Sequence, residues 1–597
     1  MTFSITKLSD VKSAPVDRLI YSNSFTKSSD FYKTSMANFF FSLLSTAARQ
    51  SKANFVRKTR RISAVQENFL RNLLLAHQDT ELGRKYGLRD IKTIDRFREQ
   101  VPILPYSSYE PYTTRIAKGE ANILTAEPVA HLIQTSGSTG KKKLVPVTRR
   151  TQKSLERAYW TSTGFLCEAL SARGLEFGKI MVTKSVQLQG RTTGGIEYGT
   201  AGEVNLRMSK FICQQLFANP YETLQVADSL ARHYICLLFA LREESMRGMA
   251  ESFPMLILRN CSYLERYAEE LIRDIDTGAI ASWLKIDPEL RAKLEKGWFA
   301  NPKRAAQLKE IWKSLGRIVP KLAWPNLSFI IAARGGTSDF YFERFPTYFG
   351  DIPEFGAGYS TSEAIFSIYH DLNDDSSILA IEQGFFEFIS EDQWEAEHPK
   401  TLLANEVKTG ERYRILVTNY SGFYRYDIGD IVEVLGFYEQ TPLIVFRYRR
   451  GGLLSAINEK TTEFHVTQVM QALQRDFSVP LEDFCITLSE NDFPSYYLVN
   501  IELASGHTLS NPQAFLANFD SKLKEIHISY EVNRRDQVPP PRLRILAPGS
   551  FATLRQRQLQ NGIPDGQLKV PHISENRAFL TGLPVQHEVR LAVTSDQ

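Results

Sequence analysis

An apolar stretch, Val129-Ala-His-Leu-Ile-Gln134, runs directly into Thr135-Ser136-Gly137-Ser138-Thr139-Gly140-Lys141-Lys142-Lys143. Those last nine positions hold four hydroxyls, two glycines and three lysines. Small residues leave backbone N–H groups open, Ser and Thr oxygens can wrap an oligophosphate, and the lysines offset its charge. The segment therefore reads as a short strand ending in a phosphate cradle, although a mobile surface loop can share its composition. It is not a Walker A loop. That motif needs a Gly five residues before Gly140, where Thr135 stands, and a Ser or Thr after Lys141, where Lys142 stands.

Two further segments carry chemistry. Gly356-Ala-Gly-Tyr359-Ser360-Thr361-Ser362-Glu363 offers an aromatic plane, three hydroxyls and a carboxylate within five residues. A purine can stack on the Tyr, the hydroxyls can hold phosphate, and Glu363 can ligate Mg²⁺ through an oxygen. A helix N-terminus capped by Ser362 fits the same residues. In Gly422-Phe-Tyr424-Arg425-Tyr426-Asp427-Ile428-Gly429-Asp430, an acid at the end of a strand and turn suits both ribose hydroxyls. A hairpin turn that uses Asp and Gly for backbone geometry suits it too.

Around these segments the chain reads as α/β. Val65, Phe69, Leu73 and Ala76 recur at helical spacing over 62–100, where Pro102 and Pro105 close the pattern. The middle, 150–320, mixes helices such as Tyr221 to Glu244 with a strand at Lys179–Thr183. A second strand, Leu327–Ala332, leads to Gly335-Gly336, and a β-rich stretch fills 379–447. Gly451-Gly452 then break the chain ahead of a tail that alternates helix and strand signals. The expected organisation is an extension over 1–60, a large domain over 61–450 and a smaller α+β cap over 451–597. At about 150 residues per domain, 597 residues are ample for this.

Composition closes off several classes of function. Hydrophobic residues at 43% and charged residues at 23% match ordinary globular proteins, so wholesale disorder is excluded. An excess of 72 Lys and Arg over 67 Asp and Glu is too small to announce a nucleic-acid binder. Cys167, Cys213, Cys236, Cys261 and Cys485 form no CxxC pair. This argues against disulfides and structural zinc, and for reduced thiols in a cytoplasmic enzyme. The longest apolar run, Tyr234 to Leu241, falls short of the roughly 18 residues a membrane helix needs. The segment from Met36 through Phe39-Phe40-Phe41 to Arg57-Lys58-Thr59-Arg60-Arg61 is expected to follow a disordered lead-in. It reads as an amphipathic helix packing its aromatic face on the body, with an organelle leader or membrane contact as the rival reading. Met36 offers a second possible start. His131, on an apolar strand, reads as a satisfied core histidine, and no GxSxG suggests a hydrolase.

Taken in order, TSGSTGKKK, YSTSE and YRYDIGD resemble the acyl-adenylate-forming superfamily of acyl-CoA ligases and luciferases. More closely, the chain is similar to the auxin-responsive acyl acid amido synthetases, the Gretchen Hagen family. The likeness runs over residues 62–575 and includes Val101-Pro-Ile-Leu-Pro-Tyr106, Gly451-Gly-Leu-Leu-Ser-Ala-Ile-Asn-Glu-Lys460 and Gln567-Leu-Lys569-Val-Pro-His572. The resemblance implies a large adenylate-forming domain with a mobile cap and a two-step reaction using ATP and Mg²⁺. A small carboxylic acid becomes an acyl-adenylate, and an amine, typically an amino acid, then displaces AMP. It also implies roles. Thr135, Ser136, Gly137, Ser138, Thr139 and Gly140 would hold the β,γ-phosphates, and Gly335, Gly336, Tyr359 and Ser360 would frame adenine. Thr361 and Ser362 would lie near the α-phosphate, Glu363 would carry Mg²⁺ and Asp430 would clasp ribose. Lys569 would act in adenylation, and Lys460, after the hinge, would contact nucleotide in one domain orientation. Arg449 and Arg450 are assigned to the hinge.

Two departures stand against the plant pattern. The phosphate loop is one residue shorter, as in acyl-CoA ligases, and Asp427 stands where an Arg is usual. A thiol acceptor such as coenzyme A or a carrier arm is the alternative second step, and a non-catalytic nucleotide-binding scaffold is the alternative from another class. The acid pocket is expected from 160–215 and from the wall around Phe340 to Phe345, with a monomer as the default state.

Overall fold

The computed structural model describes residues 26–135, 143–208 and 210–591. Ser136, Gly137, Ser138, Thr139 and Gly140 lie outside the described residues, as does the lead-in before residue 26. Four sheets organise the rest.

One four-stranded sheet is parallel. Ile180–Val182, Gly248–Ala250, Phe329–Ala332 and Glu354–Gly356 lie side by side in chain order. Parallel neighbours need crossovers, and the sequence supplies them as apolar helices. Ser229–Arg242, capped by the Asp228 carboxylate accepting from Ala231 N–H, is buried at every position from Ala231 to Leu241. The apolar run that was too short for a membrane is thus a core helix, and among the described residues no helix is long and apolar enough to cross one. The expected helix from Tyr221 divides into a 3₁₀ turn, Tyr221–Gln225, and this helix, because Asp228 starts a new cap between them.

A hairpin of Val129–Thr135 and Lys143–Thr148 stands beside it, with Glu197–Gly199 parallel to its first strand. Thr135 pairs with Lys143, so both ends of the Ser/Thr/Gly/Lys loop are fixed in register. A seven-stranded antiparallel sheet holds the β-rich stretch, with Tyr426–Tyr438 and Thr441–Arg449 as its long inner pair. The N-terminal helix Thr26–Thr59 packs on Arg149–Ala172, with Phe55 edge-on to Phe165 and Phe41 edge-on to Phe177. Of the Phe40-Phe41 pair, Phe41 meets the body.

The C-terminal unit is α+β. Leu481–Leu488, Tyr497–Leu503, Arg542–Leu546 and Val585–Arg590 form its sheet, with helices Glu463–Phe477 and Pro512–Ile526 packed on it. Its core is continuous with that of the middle section. The Phe340 ring sits 4.9 Å from Phe484 and 5.2 Å from His572, both of the C-terminal unit. Burying one such ring contributes about 1.5–3 kcal/mol, so the unit is docked by apolar contact as well as by charge. All five cysteines are buried and free.

Candidate active site

A cleft of about 2950 Å³ opens between the large body and the C-terminal unit. Thr135, Lys143, Ser360, Thr361, Ser362, Glu363, Arg449, Gly451, Gly452 and Lys569 all line it. Residues more than 400 positions apart in the sequence are thereby brought to one cavity.

Each is held for a local reason. Glu363 is buried at the cleft wall, where Tyr426 Oη donates to Oε1 at 2.9 Å and Lys143 Nζ lies 3.9 Å from the same oxygen. Burial, then the Glu363 charge, pushes the Tyr426 phenol far above its ordinary range, so it stays protonated and donates. Lys143 also lies over the Tyr106 ring, 5.3 Å from its centre. Residues 360–365 form a tight turn closed by a bridge between Ser360 and Ile365, not a helix. The hydroxyl that caps it is Thr361, which accepts from the N–H groups of Glu363 and Ala364, so the expected cap at Ser362 is corrected.

Asp430 is not at a turn. It lies within the strand Tyr426–Tyr438, is 1% exposed, and is opposite Arg449 in the neighbouring strand. Tyr359 Oη donates to its Oδ2 at 2.7 Å, and Arg449 donates from Nε to Oδ1 at 2.5 Å and from Nη2 to Oδ2 at 3.2 Å. Of these three side chains only Arg449 lines the cleft. Tyr359 is stacked on Phe366 at 4.7 Å and tilted against Phe446 at 5.3 Å, so the aromatic that lines the cleft here is Phe446. Gly335 and Gly336 pack behind it. A Cβ on Gly336 would come within 2.8 Å of the Phe446 ring, and both glycines have positive φ. They do not line the cleft, and neither does Lys460, which is exposed with a φ of 54°.

Lys569 comes from the opposite side. Leu568 and Val570, at 1% and 0% exposure, are buried in the C-terminal unit, and the alternation of an extended backbone turns Lys569 outward into the cleft. Two residues earlier, Gln567 Nε2 donates to the Gln134 carbonyl at the root of the phosphate hairpin, at 3.1 Å. Gly451 and Gly452, with φ of 92° and 87°, link the two units in open space, where a Cβ on either would meet no atom within 4 Å.

Away from these groups, the cleft is walled by Tyr159, Trp160 and Leu166 of one helix and by Tyr198, Phe211 and Leu216. Trp160, Leu166, Tyr198 and Phe211 fall within the 160–215 stretch, with Tyr159 and Leu216 just outside it. Phe340 to Phe345 do not line it; Phe340 and Phe345 are core residues at 0% and 2% exposure. His131 is half-buried, and its Nδ1 has no hydrogen-bond partner among the described residues, with Glu197 Oε2 3.8 Å away. It is not a satisfied core histidine. Sequence reasoning missed Tyr426, Phe446 and the place of Arg449 against Asp430. The first stood inside a quoted motif, and the other two carried only strand alternation as a signal.

Mg²⁺ is usually held by one or two carboxylates together with substrate phosphates rather than by an all-protein cage. Glu363 matches that donor set: it is a carboxylate at the cleft wall beside Lys143 and the hydroxyls of Thr361 and Ser362, one of several acids that line the cleft. Among the described residues no group of three or more acidic, His or Cys side chains could hold a metal unaided.

The parallel sheet, the hairpin at Thr135 and the second unit facing them across the cleft make a fold shared with a solved acyl-CoA ligase and with a solved acyl acid amido synthetase. The chain superposes on 2-hydroxyisobutyryl-CoA ligase in the postadenylation state with a TM-score of 0.51 and 12% identity, covering 87% of this chain and 90% of that one. On the GH3.15 acyl acid amido synthetase the TM-score is 0.80 at 23% identity, covering 91% and 97%.

The chain belongs to the GH3 family: the GH3 N-terminal domain matches residues 51–354, the central domain 377–449 and the C-terminal domain 464–578. Indole-3-acetic acid-amido synthetase GH3.10 of Arabidopsis thaliana is 27% identical over 86% of this chain and 93% of its own length. Jasmonoyl--L-amino acid synthetase JAR4 of Nicotiana attenuata is 29% identical over 74% and 80%.

Proposed function

We propose that this chain is an ATP-dependent acyl acid amido synthetase. The acid's carboxylate attacks the α-phosphorus of ATP and expels pyrophosphate. An amine, an amino acid in this reading, then attacks the acyl carbon of the adenylate, and AMP leaves as the amide forms. The observation that supports this most directly is the single cleft shared by Lys143 and Thr135 of the hairpin, Glu363 of the turn and Lys569 of the C-terminal unit. Transfer of this kind needs positioning and charge neutralisation more than covalent chemistry from the protein.

In this reading the ammonium of Lys569 offsets charge shared by the α-phosphate and the incoming carboxylate. The hydroxyls and glycines from Thr135 to Gly140 hold the β,γ-phosphates, and Thr361 and Ser362 face the α-phosphate. Glu363 would hold Mg²⁺, which when bound supplies charge neutralisation at the phosphates. Tyr359, Ser360, Gly335 and Gly336 shape the adenine side through Phe446, and Asp430, buried behind the cleft wall, acts on the ribose side through Arg449, which it holds. Residues 61–450 act as the large domain and 451–597 as a cap turning near Gly451, with Lys460 reaching nucleotide in one of its orientations.

The test is carboxylate-dependent ATP–pyrophosphate exchange over indole, phenyl, benzoyl and fatty acids, followed by AMP release with amino acids and with thiols. Exchange with at least one acid, reduced more than about a hundredfold in Lys569→Ala, and AMP release stimulated by amino acids are the expected results. ATP binding without exchange in any Lys569-dependent manner refutes the assignment of Lys569. Release stimulated by coenzyme A alone refutes the amide step.

A further inference from the structure

Four residues before Lys569, the C-terminal unit inserts Asp565 into a socket on the large body. Its Oδ1 accepts from Arg259 Nη1 at 2.6 Å, and its Oδ2 accepts from Arg232 Nη2 at 2.7 Å and Arg259 Nη2 at 3.1 Å. The socket is rigid. Arg232 also donates from Nε to the Thr183 carbonyl at 2.9 Å and from Nη1 to the Val226 carbonyl at 3.1 Å. Arg259 Nη2 meets His233 Nε2 at 2.5 Å, while His233 Nδ1 meets Asn260 Oδ1 at 2.6 Å. An arginine can only donate and an amide oxygen can only accept, so these two contacts place a His233 proton on Nδ1, while Nε2 also lies 3.3 Å from Asp565 Oδ2. Burial, then the Arg259 charge, lowers its pKa.

The charge count is unusual. Two guanidiniums, with side chains 3% and 16% exposed, face one carboxylate that is 12% exposed. Among the described residues Asp565 is the only acidic group within ion-pairing distance of either arginine. Burial of unpaired charge is strongly unfavourable, so a socket of this kind holds its arginines best when the carboxylate is seated. Arg232 and Arg259 belong to the body and Asp565 to the cap, where it opens the 3₁₀ turn Asp565–Gln567; Gln567 touches the root of the phosphate hairpin, and Lys569 follows two residues later.

We propose that Asp565, seated between Arg232 and Arg259, is a positioning residue that locks the cap in the orientation presenting Lys569 to the cleft. It thereby sets the rate of the adenylation half-reaction but not that of the aminolysis half-reaction. This rests on the synthetase reading above. Asp565 and its two arginines also line the cleft, but with both its oxygens held by the guanidiniums Asp565 acts through the fraction of molecules in which Lys569 is in place, and the apparent adenylation rate scales with that fraction.

The test compares Asp565→Asn and Arg259→Gln with wild type in three assays on the full chain. These are acid-dependent pyrophosphate exchange, amide formation from preformed acyl-adenylate, and hydrogen exchange of the backbone over 563–570. The expected result in either variant is a fall of about tenfold or more in exchange, aminolysis within about twofold of wild type, and faster hydrogen exchange over 563–570. The double variant should lose little beyond either single one, because both remove the same contact. A parallel fall in both half-reactions, or unchanged pyrophosphate exchange, overturns the proposal. If wild type exchanges pyrophosphate with no acid, the synthetase reading fails separately. Hydrogen exchange needs no substrate and still decides whether Asp565 holds the segment.

Discussion

Tyr426→Phe isolates the support given to Glu363. The substitution removes one oxygen and leaves the ring, which is stacked on Phe423 at 5.0 Å and edge-on to Tyr109 at 6.0 Å, so the packing stays. What is lost is the 2.9 Å hydrogen bond to Glu363 Oε1. A neutral donor on a charged acceptor contributes about 1.5–3 kcal/mol, and losing such an outer partner of a metal-holding carboxylate lowers metal affinity by about 10–100-fold. Lys143, 3.9 Å away, is too distant for a hydrogen bond and does not replace the lost donor. If Glu363 holds Mg²⁺ beside the triphosphate, the variant should need about tenfold or more Mg²⁺ for half-maximal pyrophosphate exchange at fixed ATP. It should recover most of the wild-type rate at saturation. Calorimetric titration of ATP at stepped Mg²⁺ concentrations reads the same shift without turnover. A fall in rate that no amount of Mg²⁺ restores, with ATP binding equally sensitive to Mg²⁺ in both proteins, refutes the reasoning and makes the Tyr426–Glu363 contact merely structural.

Arg425→Met should destabilise the large body by about 1.5–3 kcal/mol, since it removes the two-pronged partner of buried Glu387 and leaves it Arg98 at 3.3 Å and Thr401 at 2.6 Å. Arg425 is buried with a φ of 44°, pairs with both Glu387 oxygens at 3.0 Å and donates to the Arg98 and Val101 carbonyls at 2.7 and 2.9 Å. Denaturant titration checks it, and a loss below about 1 kcal/mol refutes it, because a gap that small is the worth of an exposed pair. Acid should weaken the fold through His77, whose pKa is lowered to about 4 by burial and then by Arg150. Between the unfolded value of 6.5 and about 4 only the unfolded chain binds the proton. Stability is therefore whole above 6.5 and falls by up to about 3 kcal/mol as pH drops through that window. His77→Gln, which keeps a partner for Tyr424 Oη but does not titrate, should flatten the slope over that window; an unchanged slope would show that other groups carry it.

What the sequence discloses about this molecule follows the range of the interaction. The strand Val129–Thr135, the parallel strands Ile180–Val182 and Phe329–Ala332 and a helix within 221–244 are legible because apolar periodicity is local, whereas the three-residue strands Gly248–Ala250 and Glu354–Gly356 are too short to carry it. The glycine pair at 451–452 is legible because it too is local. Asp430 is misplaced by sequence reasoning because Asp427-Ile-Gly-Asp430 has turn chemistry. In the fold, Gly429 instead takes a φ of 81° inside a long strand whose register shifts just beyond it, a kink that sheet pairing imposes and sequence alone does not announce. Asp565 shows the limit most clearly. Pro564-Asp565-Gly566 reads as a turn, and its partners Arg232 and Arg259 lie more than 300 residues away. Lys569 is found from a motif, whereas the residue that seats it is found only from the docked fold. The two differ because the chemistry at Lys569 fixes the neighbouring residue types. A docking contact fixes only a charge at a point in space, and any segment that reaches the socket can supply it.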